Sequence, residues 1–369
     1  MNGRKWLILP LMAISLMLTA CSNSKAVNIE TSAHIEAVTE RDTNTATKET
    51  ETDDTQKEDK MEINKANNAS GNLPEILEVP VNTQREEVSL QSKDIDPLRA
   101  IHRCVSNGEK IFFAYNEPDV YVMPVGADKQ TPLQIKNPEG LMVSNIAMDC
   151  YGGLHLLMVA QEYEEWYIWC LDEDYQVERI IDISAYFETK QIPMWFLIDK
   201  DGTFYLQWSL NRNGIILDKE GVMTHKTTPE ALGVAWIYEA AVGKDGQIYL
   251  VYKDNDNLEI GALDVENGSI RSENSSLSFP GNETFSAMAA GTDTNLLIFS
   301  PNSGVWAYDN EKGMLENRVA LSDIHIGENM EYWPLNFLPD GRLLLLGKTI
   351  NSELTKPVEL LMQYIPVGR

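Results

Sequence analysis

The chain has 369 residues, of which 43% are hydrophobic, including 8 Trp, 14 Tyr and 9 Phe. This apolar content is sufficient for a large core, which excludes a wholly disordered chain. Its 30 Lys and Arg residues stand against 56 Asp and Glu residues, for a net charge of −26. Because nucleic-acid binding requires clustered positive charge, we expect no nucleic-acid partner.

Residues 1–20 have the features of a secretory signal. Arg4 and Lys5 supply positive charge, and an apolar run of fifteen residues follows from Trp6 to Ala20. As a helix, this run would extend about 22 Å at 1.5 Å per residue, which is less than the roughly 30 Å of a hydrocarbon core. A cleaved signal peptide is therefore predicted for residues 1–20.

The apolar run ends in Leu18-Thr19-Ala20-Cys21, and this motif resembles the lipobox of bacterial lipoproteins. The resemblance implies cleavage before Cys21, a thioether lipid on its sulfur, and further acylation. An ordinary secretory signal followed by an unmodified Cys is the alternative. Several acyl chains anchor a protein stably without a spanning segment. The membrane is therefore an expected partner through the lipid anchor, and the expected location is the extracytoplasmic face of the cell membrane.

Residues 21–72 are predicted to comprise the lipidated Cys21 and a disordered, acidic and Thr-rich spacer. Stretches such as 43–47 (TNTAT) and 49–54 (ETETDD) contain almost no aromatic or large apolar residue. Such a composition cannot bury enough apolar surface to offset the entropy cost of folding. We expect the spacer to hold the folded part, residues 73–369, away from the membrane.

A pattern repeats through residues 95–369. A turn rich in Gly, Asn or Asp precedes a short β-branched, aromatic or aliphatic run, as in Asp201-Gly202 before Phe204-Tyr205-Leu206. The turns align at residues 108, 152, 202, 246, 294 and 341, so the steps are 44, 50, 44, 48 and 47 residues. Each unit has a second apolar stretch, such as Ile215–Leu217 in the third. The Asp-Gly and Asn-Gly pairs provide the positive φ angles that tight hairpins require.

Units of about 47 residues made of two successive hairpins are typical of propeller blades. The sequence therefore predicts an all-β fold, a single β-propeller of about six four-stranded blades, with five or seven as the limits. A β-sandwich is the alternative, but its strands would not require this period. The sixth unit lacks its outer strand, which is expected from Glu86–Gln91 or Ile76–Val81. The layout resembles propeller lipoproteins of bacterial envelopes and propeller segments beside solute-binding proteins of gut clostridia, and this resemblance carries no catalytic motif.

One face of the predicted propeller is the expected location of a binding site. It carries the loops that enter the first strand of each blade and the loops between second and third strands, among them Asn211–Asn213. The positions seven to ten residues before each aligned turn give the candidate ligand-binding residues Met194, Trp195, Trp236, Tyr238, Phe285, Tyr332 and Trp333. Rings at a channel rim can stack on sugars or hold a peptide, or they can instead pack between blades.

The sequence contains no nucleophile motif, phosphate-binding glycine loop or metal-ligand spacing, so no catalytic residue, metal or cofactor is predicted. The leading hypothesis is a non-enzymatic, membrane-anchored binding or scaffold protein that presents a propeller face to a carbohydrate, a peptide or an envelope protein. The alternative is a surface glycoside hydrolase or lyase that uses channel carboxylates, because residues 95–369 contain 40 acidic residues. Besides Cys21, three cysteines remain, so at least one thiol is expected to stay free unless two chains pair.

Overall fold

The structure, a computed structural model, describes residues 86–90, 103–187, 191–208, 211–254, 257–271, 279, 283–324, 330–349 and 360–367. The predicted signal peptide, the lipidation site and the spacer lie outside these residues. Among the described residues, helix is limited to two single 3-10 turns at Ser184–Tyr186 and Leu321–Asp323. None of the helical structure in this part of the chain is long and apolar enough to cross a membrane.

The fold is built from short β-strands joined by tight turns. In chain order the strands are β1 Glu86–Leu90, β2 Arg103–Ser106, β3 Lys110–Ala114, β4 Val120–Pro124, β5 Thr131–Pro132, β6 Met142–Met148, β7 Leu154–Val159, β8 Trp166–Leu171, β9 Val177–Asp182, β10 Pro193–Ile198, β11 Phe204–Trp208, β12 Gly214–Leu217, β13 Met223–Thr227, β14 Trp236–Val242, β15 Ile248–Asp254, β16 Asn257–Asp264, β17 Ser269–Arg271, β18 Ala287–Ala290, β19 Leu296–Ser300, β20 Gly304–Asp309, β21 Met314–Ala320, β22 Met330–Phe337, β23 Arg342–Thr349 and β24 Leu360–Pro366.

The strands form six antiparallel sheets of four strands, which confirms the prediction of a six-bladed β-propeller. Blades one to five are β2–β5, β6–β9, β10–β13, β14–β17 and β18–β21, each in sequence order from the inside outward. Blade six consists of β22, β23 and β24, and β1 pairs with β24 as its outer strand. The first strands of neighbouring blades contact one another around the ring, including β22 with β2. The strand Glu86–Leu90 is one of the two segments that the sequence offered for closure, and the other, Ile76–Val81, lies outside the described residues.

The repeated turns join the first and second strands of each blade. Gly202 and Gly246 occupy them in blades three and four, with φ angles of +82° and +75°. A side chain is strained in this left-handed region, which is why Asp-Gly recurs there. The second apolar stretch of each unit forms the third strand, as Ile215–Leu217 does in β12. The period read from the sequence therefore corresponds to one blade.

The core consists of six apolar clusters, each between two consecutive blades. Strand β3 illustrates how one strand serves two clusters. Ile111 and Phe113 pack against blade six, whereas Phe112 and Ala114 pack against blade two. Because side chains alternate between the faces of a strand, a fully apolar strand can face both neighbours. The second strands are therefore mostly apolar, and their packing on both sides holds the blades in a ring around a central channel.

Candidate functional site

The first strands of the six blades surround a channel with a volume of about 1000 Å³. Its lining comes from all six blades. The turns between first and second strands lie at one end, which we call the turn end. The first strands begin at the other end, which we call the channel mouth and which is the face where the sequence placed the candidate residues.

Four side chains at the channel mouth occupy corresponding positions in blades one to four. They are Arg103, Asn145, Trp195 and Glu239. In each blade a backbone amide donates the hydrogen bond that closes the turn between the first and second strands, and the named residue lies four positions before that amide. In blades two, three and four a β-bulge directly precedes this position. Bulges redirect the side chains beside them. The repeated backbone thus presents four different chemical groups at one level of the channel.

Hydrogen bonds tie this level together between blades. The Asn145 Nδ2 of blade two donates to the Pro193 carbonyl of blade three at 3.3 Å. The guanidinium of Arg103, in blade one, donates through Nη2 to the carbonyl of Met194 in blade three. The backbone of β10 is therefore held by polar side chains from two other blades.

The buried carboxylate of Glu239 has two hydrogen-bond donors. Trp195 Nε1 donates to its Oε1 at 2.5 Å, and the Ala240 amide donates to the same oxygen at 3.4 Å. Burial raises the pKa of Glu239, although Arg103, the indole donor and Arg212 favour its ionised form. Burial likewise lowers the pKa of Arg103 and of Arg212, with Glu239 acting in the opposite direction on each. The mouth therefore gathers two cations and one anion in surroundings that penalise charge.

Arg212 lies in the loop between β11 and β12, between two tryptophans. Its Cζ lies 4.7 Å from the centre of the Trp195 ring and 4.9 Å from that of Trp236. Both distances are within the range of cation–π contacts. Its φ is +56°, and its carbonyl accepts a hydrogen bond from Gln207 Nε2 at 2.7 Å. Since glycine or asparagine would adopt this backbone more easily, what arginine contributes at this position is its side chain.

The described candidate residues of the sequence analysis range from buried, through partly buried, to exposed. Trp195 is buried between blades three and four, and Met194 lies against the same cluster. Tyr238 and Phe285 pack together between blades four and five, with ring centres 6.2 Å apart. Trp236, the first residue of β14, is 36% exposed. Packing between blades, the alternative role for such rings, thus describes four of these five residues, and Trp236 remains available to a ligand.

The two other candidates, Tyr332 and Trp333, lie in the first half of β22. That strand is the first of blade six and contributes Asn336 and Phe337 to the channel lining. Of the predicted set, the structure brings Trp195 and Trp236 to one guanidinium and brings Tyr238 and Phe285 to each other.

Sequence reasoning missed the charged and amide groups of the mouth. Glu239 and Asn145 lie seven residues before the aligned turns of their blades, inside the stretch that was searched. They are not among the candidates of the sequence analysis, because those are large aromatic side chains together with Met194. Arg103 lies five residues before its turn, because the first turn of blade one is shorter. When the blades are aligned in the structure by the hydrogen bond that closes each turn, Arg103, Asn145 and Glu239 lie at one level.

A second polar cluster lies in blade two near the turn end. His155 Nε2 lies 3.0 Å from Asp149 Oδ2, and Cys170 is the cross-strand neighbour of both His155 and Arg179. Arg179 Nη2 donates to Cys170 Sγ at 3.6 Å. Burial alone would lower the pKa of His155, but Asp149 and the Cys170 thiol outweigh it and raise that pKa to about 9. Cys104, Cys150 and Cys170 are all free thiols.

The positions of the channel carboxylates are relevant to the alternative hypothesis of a glycoside hydrolase or lyase. Among the described residues that line the channel, the carboxylates are Glu239 at the mouth and Asp149 at the turn end. Asp149 Oδ1 accepts the amides of Tyr151 and Gly153, while its Oδ2 meets His155. Four strand residues separate the two levels, which is about 13 Å along a strand. In the part of the chain that the structure describes, no three His, Cys, Asp or Glu residues gather as a metal site.

The fold and the site define a six-bladed β-propeller with an aromatic and charged channel mouth. No protein-family model and no curated protein matches the sequence. Among solved structures, the chain is similar to an oligogalacturonate lyase in complex with manganese, with 11% identity, coverage of 70% of this chain and 74% of that chain, and a TM-score of 0.43. It is also similar to virginiamycin B lyase from Staphylococcus aureus, with 11% identity, coverage of 76% and 99%, and a TM-score of 0.41.

A further similarity is to a chain of a mitotic checkpoint complex, with 13% identity, coverage of 79% and 98%, and a TM-score of 0.45. At these identities and TM-scores, none of the three similarities supports an inference about chemistry or partners. What this chain does has to be argued from its own channel mouth.

Proposed function

We propose that this protein is a non-enzymatic binding or scaffold module, anchored by lipid at the extracytoplasmic face of the cell membrane, that takes its ligand at the channel mouth. The ligand class is a carbohydrate, a peptide or a segment of an envelope protein. The observation that carries the proposal is Arg212, held between Trp195 and the partly exposed Trp236. The anchor rests on the lipobox resemblance around Cys21.

The arrangement at the mouth suits binding. Trp195 is fixed by its bond to Glu239, and it supports one face of the Arg212 guanidinium. Trp236 covers the guanidinium from a second side and keeps 36% of its own surface exposed. Binding sites commonly combine one accessible ring with polar groups whose positions are fixed before the ligand arrives. A ligand at Trp236 would thus meet a surface that is already ordered.

The enzymatic alternative receives no support from the described carboxylates of the channel. Glycoside hydrolysis places two carboxyl groups about 5 to 9.5 Å apart on either side of the scissile bond. Glu239 and Asp149 lie at levels four strand residues apart, which is about 13 Å along a strand and exceeds this range. The Asp149 side chain is also held by amides of its turn and by His155.

The test is ligand capture by the full-length protein on glycan and peptide arrays. We expect Trp236→Ala to weaken capture by about tenfold or more, since an aromatic anchor contributes a large share of binding energy. Its melting temperature should stay near that of the wild type, as is usual for exposed sites. Tyr151→Ala is the matched control, because Tyr151 is 40% exposed at the turn end. Unchanged capture by Trp236→Ala, or a large loss of stability, would contradict the proposal.

A further inference from the structure

In the described part of the channel mouth, two guanidinium groups lie near one carboxyl group. Arg103 and Arg212 lie within electrostatic reach of each other and of one carboxylate, Glu239. The chain as a whole has a net charge of −26, so a site where two guanidinium groups share one carboxyl group differs from its acidic overall composition. Lys253 and Asp254 are the charged residues at the end of β15, and each of them takes part in an interaction with another group. In the described part of the mouth, the Glu239 carboxyl group thus interacts electrostatically with both Arg103 and Arg212.

The hydrogen-bond donors of Arg212 are poorly used. Its Nε is buried and has no hydrogen-bond partner among the residues that the structure describes. Its Nη1 contacts Met194 Sδ at 2.8 Å, and a thioether is a weak acceptor. The Glu239 carboxylate, by contrast, already accepts from Trp195 and Ala240. A buried donor without a partner carries a desolvation cost that a bound acceptor would remove.

The stacking of Arg212 determines which acceptor fits. Trp195 and Trp236 both lie within cation–π distance of the Arg212 Cζ, at 4.7 and 4.9 Å, so two aromatic rings flank the guanidinium. The edge of a guanidinium presents parallel N–H donors that match the two oxygens of a carboxylate. Trp236 is 36% exposed and its ring centre lies 4.9 Å from the Arg212 Cζ, so it offers an apolar surface to a ring near the guanidinium.

On the basis of the proposed function, we infer that the ligand of the channel mouth carries a carboxylate on a ring-shaped body, with the carboxylate at Arg212 and the ring against Trp236. The class includes acidic sugars and aromatic acids, which share this chemistry. Arg103 supports the same preference as a second cation, because it interacts electrostatically with Arg212. Neutral sugars and neutral aromatic compounds would leave the Arg212 donors without an acceptor.

The inference is tested with matched pairs that differ in the carboxylate, namely glucuronate against glucose and benzoate against benzamide. Calorimetric titration of the full-length wild-type protein should give, for at least one pair, a dissociation constant about tenfold lower for the acid. The same acid should raise the melting temperature, whereas its neutral partner should not. Arg212→Gln should abolish the preference. Arg271→Gln, a half-exposed arginine of blade four, should keep it.

Equal affinities within both pairs, failure of both acids to bind, or a preference that survives in Arg212→Gln would overturn the inference. The wild-type comparison needs no variant, so it stands even if Arg212→Gln does not fold. A neutral ligand that binds the wild type but not Trp236→Ala would overturn the acidic class and leave the proposed function intact. If no array ligand and neither acid binds the wild type, both proposals are wrong.

Discussion

The pH dependence of stability offers a sharp test of the structure at His155. Its Nε2 lies 3.0 Å from Asp149 Oδ2, and the Cys170 thiol is its cross-strand neighbour. Burial lowers the pKa of His155, but these two groups outweigh burial and raise it to about 9, against an ordinary value of 6.5. A raised folded-state pKa means that the protonated imidazole stabilises the fold fully below pH 6.5. This stabilisation is lost as the pH rises through 9.

The magnitude follows from the two pKa values. The difference between about 9 and 6.5 corresponds to about 3 kcal/mol of unfolding free energy at 1.36 kcal/mol per pKa unit. The thiol of Cys170 acts in the opposite sense. Burial raises its pKa, but His155 and Arg179 outweigh burial and lower it, so its contribution to stability grows with rising pH. We therefore expect a net loss of about 1–3 kcal/mol between pH 6.5 and 9.5.

The assay is urea unfolding at the two pH values, together with NMR titration of the His155 ring. The wild type should lose about 1–3 kcal/mol over this range, and His155→Gln should lose much less, because glutamine does not titrate. His225→Gln is the control, because His225 lies on the surface of blade three. Among the described residues, the hydrogen-bond partner of its Nε2 is the carbonyl of Glu266. A ring that titrates at or below pH 6.5 would refute the reasoning. Identical pH profiles for wild type and His155→Gln would also refute it.

Three further predictions concern packing, ring closure and the anchor. Trp166→Ala should cost about 3–5 kcal/mol in urea unfolding, because Trp166 is fully buried and stacks on Phe187 at 4.2 Å; a loss below about 1 kcal/mol would contradict this packing. Val88→Asp should lower unfolding free energy by about 1–3 kcal/mol, because it places a charge against the blade-six core, whereas Ser89→Asp, at an exposed site of the same strand, should match the wild type. Cys21→Ser should move the protein from the membrane fraction to the soluble fraction; retention in the membrane would contradict lipid anchoring.

The blade count could be predicted from sequence because two signals coincide in each unit. Asp-Gly turns such as Asp201-Gly202 mark the first hairpin, and apolar runs such as Ile248–Leu250 mark the strand that follows. Outer strands gave a much weaker signal. The residues of β17, Ser269–Arg271, are not buried, and β5 has only two residues, Thr131–Pro132. Outer strands contribute few residues to the core, such as Val88 of β1 and Ile181 of β9, so little of their sequence has to follow an apolar pattern.

The candidate site was predictable only in part, for a different physical reason. Trp195 and Trp236 could be assigned to the mouth because the period fixes where a residue lies along its blade. Their contact through Arg212 could not, because it joins a loop of blade three to the first strand of blade four. The bond between Trp195 and Glu239 is likewise a contact between two blades. Contacts across blades depend on how the repeats pack, which one-dimensional periodicity does not encode.

The channel mouth is where the repeat stops being uniform, and this argues for function there. Between blades, each pair of neighbours shares a cluster of buried apolar residues, because the same packing problem recurs six times. At the mouth, corresponding positions carry Arg103, Asn145, Trp195 and Glu239, and three of these side chains are charged or amide groups. Packing alone would be served better by apolar residues, since burying charged groups costs free energy even when they are paired. This cost, at an opening and beside a partly exposed tryptophan, is the reason why we propose a ligand at the mouth.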